Sequence, residues 1–254
     1  MALLEVKDLS RAFGGLQAVN KVSFSVKKDT IKALIGPNGA GKTTLFNLVS
    51  GMLPPDSGSI IFNGEPVHGF PPYRTASKGI ARTFQHVKLF PRMTALENVM
   101  IGRHTHSKAE FIPCMLSLPW TWREEKQIRV KSLEIMGFLG ISAFAGNEAA
   151  SLAYGQQRIV ELARALACEP ALLLLDEPAA GLNMRETAEI ARLITKIKEM
   201  GVTVLIVEHD MSLVMDISDE IIVLSYGEKI ADDVPLAIQR NSEVIRIYLG
   251  EEDA

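Results

Sequence analysis

A glycine-rich segment of the chain has the residue types and spacing of a phosphate-binding loop. Residues 36–43 read Gly-Pro-Asn-Gly-Ala-Gly-Lys-Thr and fit the pattern G-x-x-x-x-G-K-[ST]. Glycines let the backbone wrap closely around phosphate oxygens, and exposed N–H groups at the start of a helix attract the anion. We expect Lys42 to neutralise the β- and γ-phosphates and Thr43 to hold Mg²⁺. The predicted ATP-binding residues are Gly36, Pro37, Asn38, Gly39, Ala40, Gly41, Lys42, Thr43 and Thr44.

Two carboxylates follow a continuous apolar run further along the chain. Leu172 to Leu175 precede Asp176 and Glu177, which places both acids at the carboxyl end of a predicted buried strand. Taken alone, such an ending is more often a solvated strand end. Together with the phosphate loop it predicts hydrolysis: Asp176 orients Mg²⁺ through water, and Glu177 polarises the attacking water as general base.

A histidine occupies the same position after a second apolar run. Val202 to Val207 is followed by Glu208-His209-Asp210, so His209 should lie at the same edge of the sheet. A single histidine at a strand end usually has a structural or solvated role. The two companion motifs favour a catalytic role instead, in which His209 reaches the γ-phosphate.

The surrounding pattern predicts an α/β protein that positions these groups. Leu4 to Val26 alternates loosely around Gly14-Gly15, which predicts short antiparallel strands. Thr30 to Ile35 predicts a strand that leads into the glycine-rich loop, and Lys42 to Ser50 predicts the helix after it. Ser59 to Phe62, before Asn63-Gly64, predicts half of a hairpin.

The middle of the chain has a different pattern. From about His86 to Ala150, the apolar residues of Leu96 to Ile101 and Ile128 to Leu139 have helical spacing, which predicts a helical subdomain. Arg185 to Met200 carries an apolar stripe at helical spacing and joins the two apolar runs. The second half therefore returns to the α/β core.

Composition excludes several classes of protein. The 254 residues carry a net charge of −3, so no global basic field favours nucleic acid as a partner. Cys114 and Cys168 lack the spacing of a zinc site or disulfide framework. No uncharged stretch exceeds 13 residues, as at Thr43 to Pro55, whereas a membrane-spanning helix needs about 20. We expect no transmembrane segment and no secretory signal.

The segment Leu152-Ala153-Tyr154-Gly155-Gln156 precedes an amphipathic helix that runs through Ala167. It resembles the signature of the ABC transporter ATPase family, which is usually Leu-Ser-Gly-Gly-Gln. The resemblance covers nearly the whole chain and implies one ABC ATPase domain over residues 1–254. That α/β fold has a P-loop NTPase core with a mainly parallel sheet and an antiparallel β subdomain (about 1–85 and 151–254), and a helical subdomain (about 86–150).

The resemblance also implies roles for individual residues. Phe13 corresponds to the aromatic that stacks on adenine, although a core position is equally compatible with the sequence. Gln85 corresponds to the glutamine that touches Mg²⁺ and the attacking water. The implied catalytic residues are Lys42, Gln85, Glu177 and His209, and the implied metal-binding residues are Thr43, Gln85 and Asp176.

The signature of one subunit, by the same resemblance, closes over ATP held by the phosphate loop of another. Ala153, Gly155 and Gln156 would make that contact. The chain departs from the family pattern, because Ala153 has no hydroxyl and Tyr154 replaces a glycine. Backbone N–H groups at the helix start remain able to bind an anion. Ala180-Gly181-Leu182-Asn183 stands where the family has Ser-Ala-Leu-Asp in a dimer-contact loop.

The implied partners are those of a membrane transporter. They are a second nucleotide-binding subunit, identical or paralogous, two transmembrane permease subunits, and a periplasmic or surface substrate-binding protein that acts through the permease. The expected location is the cytoplasmic face of the cell (inner) membrane. Phe111 to Trp122, which is uncharged and holds both tryptophans, either contacts the permease or packs inside the helical subdomain.

Four strings resemble the ATPases of branched-chain amino-acid importers: residues 82–86, 152–157, 177–183 and 244–250. Urea and amide importers have very similar ATPases and remain alternatives. The ATPase of lipopolysaccharide export shares the ending but carries Leu-Ser-Gly-Gly at the signature, so Ala153-Tyr154 favours the importer. A soluble ABC ATPase outside transport is less compatible with the sequence. Such proteins usually have long insertions or two fused cassettes, whereas this chain has one phosphate loop and no long insertion.

Overall fold

A computed structural model describes the backbone of residues 1–103 and 119–249 and the side chains of residues 1–103 and 123–248. The chain forms two compact units, one of residues 1–82 and 171–254 and one of residues 83–170. Residues 151–170 lie in the second unit, and the expectation of one ABC ATPase domain over 1–254 stays a prediction. Most of the segment Phe111 to Trp122, with Cys114, lies outside the described residues.

The elements follow one another along the chain within these described ranges. The strands are β1 (Ala2–Phe13), β2 (Leu16–Lys27), β3 (Ile31–Ile35), β4 (Ser57–Phe62), β5 (Glu65–Pro66), β6 (Ile80–Arg82), β7 (Leu172–Asp176), β8 (Thr203–Val207), β9 (Glu220–Ser225) and β10 (Glu228–Asp233). The helices are α1 (Lys42–Val49), α2 (Pro72–Ser77), α3 (Ala95–Gly102), α4 (Pro119–Phe138), α5 (Tyr154–Leu166), α6 (Met184–Glu199), α7 (Met211–Ile217), α8 (Pro235–Arg240) and α9 (Ser242–Leu249).

The first unit contains an antiparallel sheet with the strand order β2-β1-β4-β5. Its two longest strands have 12 residues each and meet at the predicted Gly14-Gly15 turn, so they are longer than the short strands expected from sequence. The reason is that register shifts, such as the one between Val6 and Leu9, interrupt the alternation of buried and exposed residues. The predicted hairpin after β4 is confirmed by the pairing of β4 with β5.

The second sheet of this unit has the order β10-β9-β3-β8-β7-β6 and is parallel except for β10. Strands β3, β7 and β8 are buried along their full lengths. The apolar runs of β7 and β8 predict this burial, whereas β3 also contains Lys32, whose buried ammonium pairs with Glu220 and Asp232. These three strands are neighbours, and their carboxyl ends lie at the same edge. The loops after them therefore carry the candidate chemistry side by side.

Helix α1 is surrounded by the main core of the first unit. Its buried residues Leu45, Phe46, Leu48 and Val49 belong to one apolar cluster with residues of both sheets. Phe46 is fully buried in this cluster. The helix that starts at the phosphate loop is thus held by close packing along its length.

The second unit is helical. Thr94 and Glu97 form a capping box at the start of α3, with each side chain bonded to the other residue's backbone N–H. At the other end of α3, a Cβ on Gly102 would lie only 2.0 Å from the carbonyl oxygen of Arg164 in α5. Glycine at this position lets α3 and α5 pack closely. Among the described residues, the helices are all too short or too polar to cross a membrane.

Candidate active site

The glycine-rich loop occupies the turn between β3 and α1, as predicted. Gly36 has φ +151°, and a Cβ there would lie 2.1 Å from the carbonyl oxygen of Leu224. Gly41 has φ +97°, and a Cβ there would lie 2.3 Å from the carbonyl oxygen of Ala18. Both positions combine a left-handed backbone with a close neighbouring strand, so only glycine fits without displacing the sheet.

Lys42 is the first residue of α1, and its side chain bends back over the loop. Its Nζ donates hydrogen bonds to the carbonyls of Gly36 at 2.6 Å and Pro37 at 2.8 Å. Burial lowers the pKa of Lys42, and the negative charge of Glu177 acts in the opposite direction. The loop thus holds a partly desolvated ammonium within the electrostatic influence of Glu177. Thr43 is exposed and Thr44 is half-buried on the first turn of the helix.

A turn between β9 and β10 supports the loop from the side. The N–H of Gly227 donates to the carbonyl of Ala40 at 3.1 Å, and the carbonyl of Gly227 accepts from the N–H of Asn20 at 2.8 Å. Asn38 and Gly39, at the tip of the loop, are exposed. The base of the loop is therefore fixed to two strands while its tip is open to a ligand.

Glu177 and His209 lie together where β7 and β8 end. Glu177 takes a left-handed backbone conformation, with φ +48°, and its N–H donates to the carbonyl of Val207 at 2.9 Å. Its Oε1 lies 2.6 Å from Nε2 of His209. A carboxylate and an imidazole at this distance can share a proton and position a water molecule.

Asp176, the last residue of β7, points to a different side from Glu177 and meets an arginine. Its Oδ2 accepts from Arg82 at 2.8 Å, and both side chains are almost fully buried. Arg82 also donates to Oδ1 of Asn47 at 2.7 Å and to Oγ of Ser50 at 2.8 Å. Arg82 therefore connects the end of β7 to α1 and its C-terminal cap. The sequence analysis assigned it no role, although an arginine next to the apolar residues Ile80 and Ala81 was a usable signal.

We expect Arg82→Met to lower the free energy of unfolding by about 3 kcal/mol, because it removes a buried cation and leaves the carboxylate of Asp176 without that partner. Urea denaturation of the full chain measures this change. Lys78→Met is the matched control, since it breaks the exposed Lys78–Glu65 pair and should lower the free energy of unfolding far less. Equal losses in the two variants would contradict the structural role of Arg82.

The oxygen donors near the loop match the preferences of Mg²⁺. Thr43 offers a hydroxyl and Asp176 a carboxylate, and Mg²⁺ is commonly held by one or two protein oxygens together with substrate phosphates and water. Among the described residues, His, Cys, Asp and Glu form no group of three or more that could enclose a metal. The two donors fit an ion that also takes phosphate oxygens of a nucleotide as ligands.

Phe13 ends β1 and is not part of the core. The residue is 44% exposed, and the guanidinium carbon of Arg11 lies 5.2 Å from the centre of its ring. This exposure excludes the alternative of a core aromatic. An exposed ring remains available for stacking, and its contact with adenine stays a prediction.

Gln85 lies in the second unit, where its segment is attached to α5. The guanidinium of Arg158 donates to the carbonyl of Phe84 at 2.8 Å and also bonds the carbonyl of Gln85. The buried Glu161 accepts from the N–H of Lys88 at 3.2 Å. Burial raises the pKa of Glu161, although the Lys88 amide and Arg158 oppose that effect. The segment from Phe84 to Lys88 is thus fixed to the helix that follows the signature.

The signature residues lie at the start of α5. The N–H of Ala153 donates to Oε1 of Gln156 at 3.0 Å, so the glutamine side chain satisfies one backbone donor at the helix start. Gly155 is buried, whereas Tyr154 is 42% exposed with the guanidinium of Arg158 5.5 Å from its ring centre. Tyr154 and Arg158 thus pair across the first turn of the helix.

Asn183 has a local structural role. Its Oδ1 accepts from the N–H groups of Arg185 at 3.0 Å and Glu186 at 3.1 Å, which makes it the N-cap of α6. Asparagine is among the best residues at this position. The side chain that replaces the aspartate of the family pattern thus caps a helix of its own subunit.

Comparisons with known proteins agree with this geometry. A family model described as ABC transporter matches residues 19–180, and one described as branched-chain amino acid ATP-binding cassette transporter matches residues 228–254. The chain is 45% identical over 250 residues to BraF, a high-affinity branched-chain amino acid transport ATP-binding protein of Pseudomonas aeruginosa. It is 42% identical over 250 residues to LivG of Escherichia coli, which is also a high-affinity branched-chain amino acid transport ATP-binding protein. Each alignment covers 98% of both chains.

Solved structures show the same fold. The ADP conformation of an ATP-binding cassette of an ABC transporter has a TM-score of 0.86 and 32% identity, and the match covers 99% of this chain and 100% of the other. A dimeric ATP-binding cassette in a post-hydrolysis state with ADP and Pi has a TM-score of 0.76 and 25% identity, with 91% and 98% covered. The chain therefore belongs to the ATP-binding proteins of the ABC transporter family.

Proposed function

We propose that the chain hydrolyses ATP to power the import of branched-chain amino acids. The observation that carries the proposal is the convergence at three neighbouring strand ends of a phosphate loop with Lys42, the carboxylate Asp176, and a Glu177–His209 pair at 2.6 Å. These are the groups needed to bind a nucleoside triphosphate and direct water to its terminal phosphate.

In the proposed mechanism each group has a separate task. The loop amides and Lys42 bind the phosphates. Glu177 orients the water and withdraws its proton as the water oxygen bonds to the γ-phosphorus and the bond from that phosphorus to the leaving ADP oxygen breaks. His209 holds the Glu177 carboxylate through Nε2 and would help to position the attacking water next to the transferred phosphoryl group. Mg²⁺ held by Thr43 and Asp176 would supply positive charge to the phosphate oxygens.

The active form is proposed to contain two such subunits. The dimeric post-hydrolysis cassette among the solved structures supports this arrangement. Ala153, Gly155 and Gln156 of one subunit would close over ATP held by the other, with backbone N–H groups replacing the hydroxyl that Ala153 lacks. The dimer would sit on two permease subunits at the cytoplasmic face of the membrane and act with an external substrate-binding protein.

The cargo is proposed from the relatives. BraF and LivG are named as branched-chain amino acid transport proteins, and the matching C-terminal family model carries the same term. That model covers β10, α8 and α9, beyond the elements that carry the chemistry. The cargo proposal thus rests on similarity along nearly the whole chain.

Transport by cells that lack this gene tests the proposal. Uptake of radiolabelled leucine, urea and a short-chain amide is measured after complementation with the wild type or with Glu177→Gln. We expect loss of leucine uptake alone, and restoration by the wild type only, because turnover and not nucleotide binding powers import. Unchanged leucine uptake with loss of urea or amide uptake would show that urea or the amide, and not a branched-chain amino acid, is the cargo. A defect in lipopolysaccharide export would contradict import.

A further inference from the structure

Glu208 is a buried carboxylate between His209 and the end of β8. The residue is 4% exposed, although β8 has already ended and its neighbours His209 and Asp210 are exposed. Among the described side chains, no Lys, Arg or His forms an ion pair with Glu208, and the groups that act on it are three backbone amides and the carboxylate of Glu177. A buried charge without a cationic partner is unusual, so its contacts require a specific explanation.

The partners of Glu208 are backbone amides from two different loops. Oε1 accepts from the N–H of Ala179 at 2.8 Å, in the loop that follows Glu177. Oε2 accepts from the N–H of His209 at 3.0 Å and, at the limit of hydrogen bonding, from Asp210 at 3.5 Å. One side chain therefore uses its two oxygens to join the segment after β7 to the segment after β8.

These bonds lie beside the contacts of the Glu177–His209 pair. The N–H of Glu177 is bonded to Val207, and the side chain of Glu177 meets the ring of His209. The loop after β7 and the loop after β8 are therefore joined in three ways: by the backbone bond from Glu177 to Val207, by the side-chain contact between Glu177 and His209, and by the bond from Ala179 to Glu208. A shift of the Ala179 or His209 amide would change the direction in which Glu177 points.

We propose that Glu208 is a positioning residue that holds Glu177 and His209 in the geometry for water attack and fixes Ala179, the residue that precedes the loop 180–183. This inference rests on the proposed ATPase function. It deepens that function, because the loop 180–183 resembles the dimer-contact loop of the family, and Glu208 would keep that loop aligned with the catalytic pair.

The chemistry of Glu208 distinguishes a positioning role from that of a buried side chain that only fills space in the core. Glutamine has the same shape but only one oxygen, and its NH₂ group would face an amide N–H that needs an acceptor. Aspartate keeps the charge but is one methylene shorter, so it cannot reach both loops. Burial raises the pKa of Glu208, Glu177 adds to this effect, and the three amides oppose it. Burial of this carboxylate therefore has an electrostatic cost that an apolar side chain at position 208 would avoid.

Steady-state hydrolysis by the full chain tests the inference, with kcat and KM for ATP measured for the wild type, Glu208→Gln and Glu208→Asp. We expect kcat to fall by about 10- to 100-fold in both variants, because misplacement of a catalytic group by a fraction of an ångström to about 1 Å has effects of this size. KM should change by less than about threefold, since uniform binding is unaffected. Removing the buried charge offsets part of the lost hydrogen bonding, so the thermal midpoint of Glu208→Gln should remain close to that of the wild type.

Asp210→Asn is the matched control. It removes a carboxylate charge from the same loop, but asparagine can still cap α7, where Asp210 accepts from Ser212 at 2.9 Å and Leu213 at 3.2 Å. We expect its kcat to equal that of the wild type.

Wild-type kcat in Glu208→Gln would overturn the inference, as would an increase in KM at constant kcat. Wild-type kcat in Glu208→Asp would also overturn it, because the shorter side chain cannot join the two loops. A wild-type chain without ATPase activity would instead contradict the proposed function.

Discussion

Glu177→Gln should retain ATP binding and lose turnover by about 100- to 10,000-fold, the range expected when a general base is removed. Glutamine preserves the shape of the side chain and the backbone bond to Val207, but it cannot accept the proton of the attacking water. The Kd for ATP should stay within about threefold of the wild type, because the phosphate loop is unchanged. Isothermal titration and single-turnover hydrolysis measure the two quantities separately.

Glu186→Gln is the matched control for this variant. Glu186 accepts from the N–H of Asn183 at 3.0 Å in the capping box of α6, where glutamine serves equally well. The same change of charge near the same loop should leave kcat unaltered. In the proposed dimer each ATP is held between two subunits, so we expect the subunits to stay together until the ATP is hydrolysed. Glu177→Gln with ATP should therefore elute as a dimer in size-exclusion chromatography. Turnover within tenfold of the wild type would assign the base to another residue.

Lys42→Met should weaken ATP binding by about 10- to 100-fold, which is the effect of losing a hydrogen bond to a charged group worth roughly 1.5–3 kcal/mol. The ammonium of Lys42 lies over the loop and bonds two of its carbonyls, so the variant loses both the charge for the phosphates and a support of the loop. Methionine keeps the apolar stem, which limits the effect on folding. Fluorescence titration with a labelled ATP analogue measures the change.

Lys27→Met separates this effect from a loss of net positive charge. Lys27 lies at the end of β2, 61% of its side chain is exposed, and its ammonium pairs with Glu220. Its replacement should leave the affinity for ATP within about twofold of the wild type, because an exposed pair of this kind contributes little. Similar losses of ATP affinity in Lys42→Met and Lys27→Met would mean that the net charge of the protein, and not the contact in the phosphate loop, controls ATP binding.

The sequence alone was sufficient to predict the local elements of the site. Leu172 to Leu175 is apolar without interruption, and Thr30 to Ile35 is apolar apart from Thr30 and Lys32. Such segments are typical of buried parallel strands, which is what both of them form. The glycine pattern between β3 and α1 also has a local cause, because Gly36 and Gly41 adopt left-handed backbone angles. The family was likewise predictable, because motif order and spacing are properties of the sequence.

Other features depend on contacts between residues far apart in the chain. The sequence shows an arginine at position 82 and a glutamate at position 208, but it does not show what either side chain meets. Only the neighbouring order of β7 and β8 brings Glu208 to the N–H of Ala179. Only the packing of α1 beside β6 and β7 places Arg82 between Ser50 and Asp176.

The sequence by itself thus determined the family, the phosphate loop and the acidic strand ends, because hydrophobic period and glycine conformation act within a few residues. The tertiary structure decided the exposure of Phe13 and the partners of Arg82, Glu208 and Asn183. Burial and hydrogen-bond satisfaction at those sites depend on which strands and loops become neighbours. A buried charge is stable only where the completed fold supplies its partners, and single-sequence patterns do not encode those partners locally.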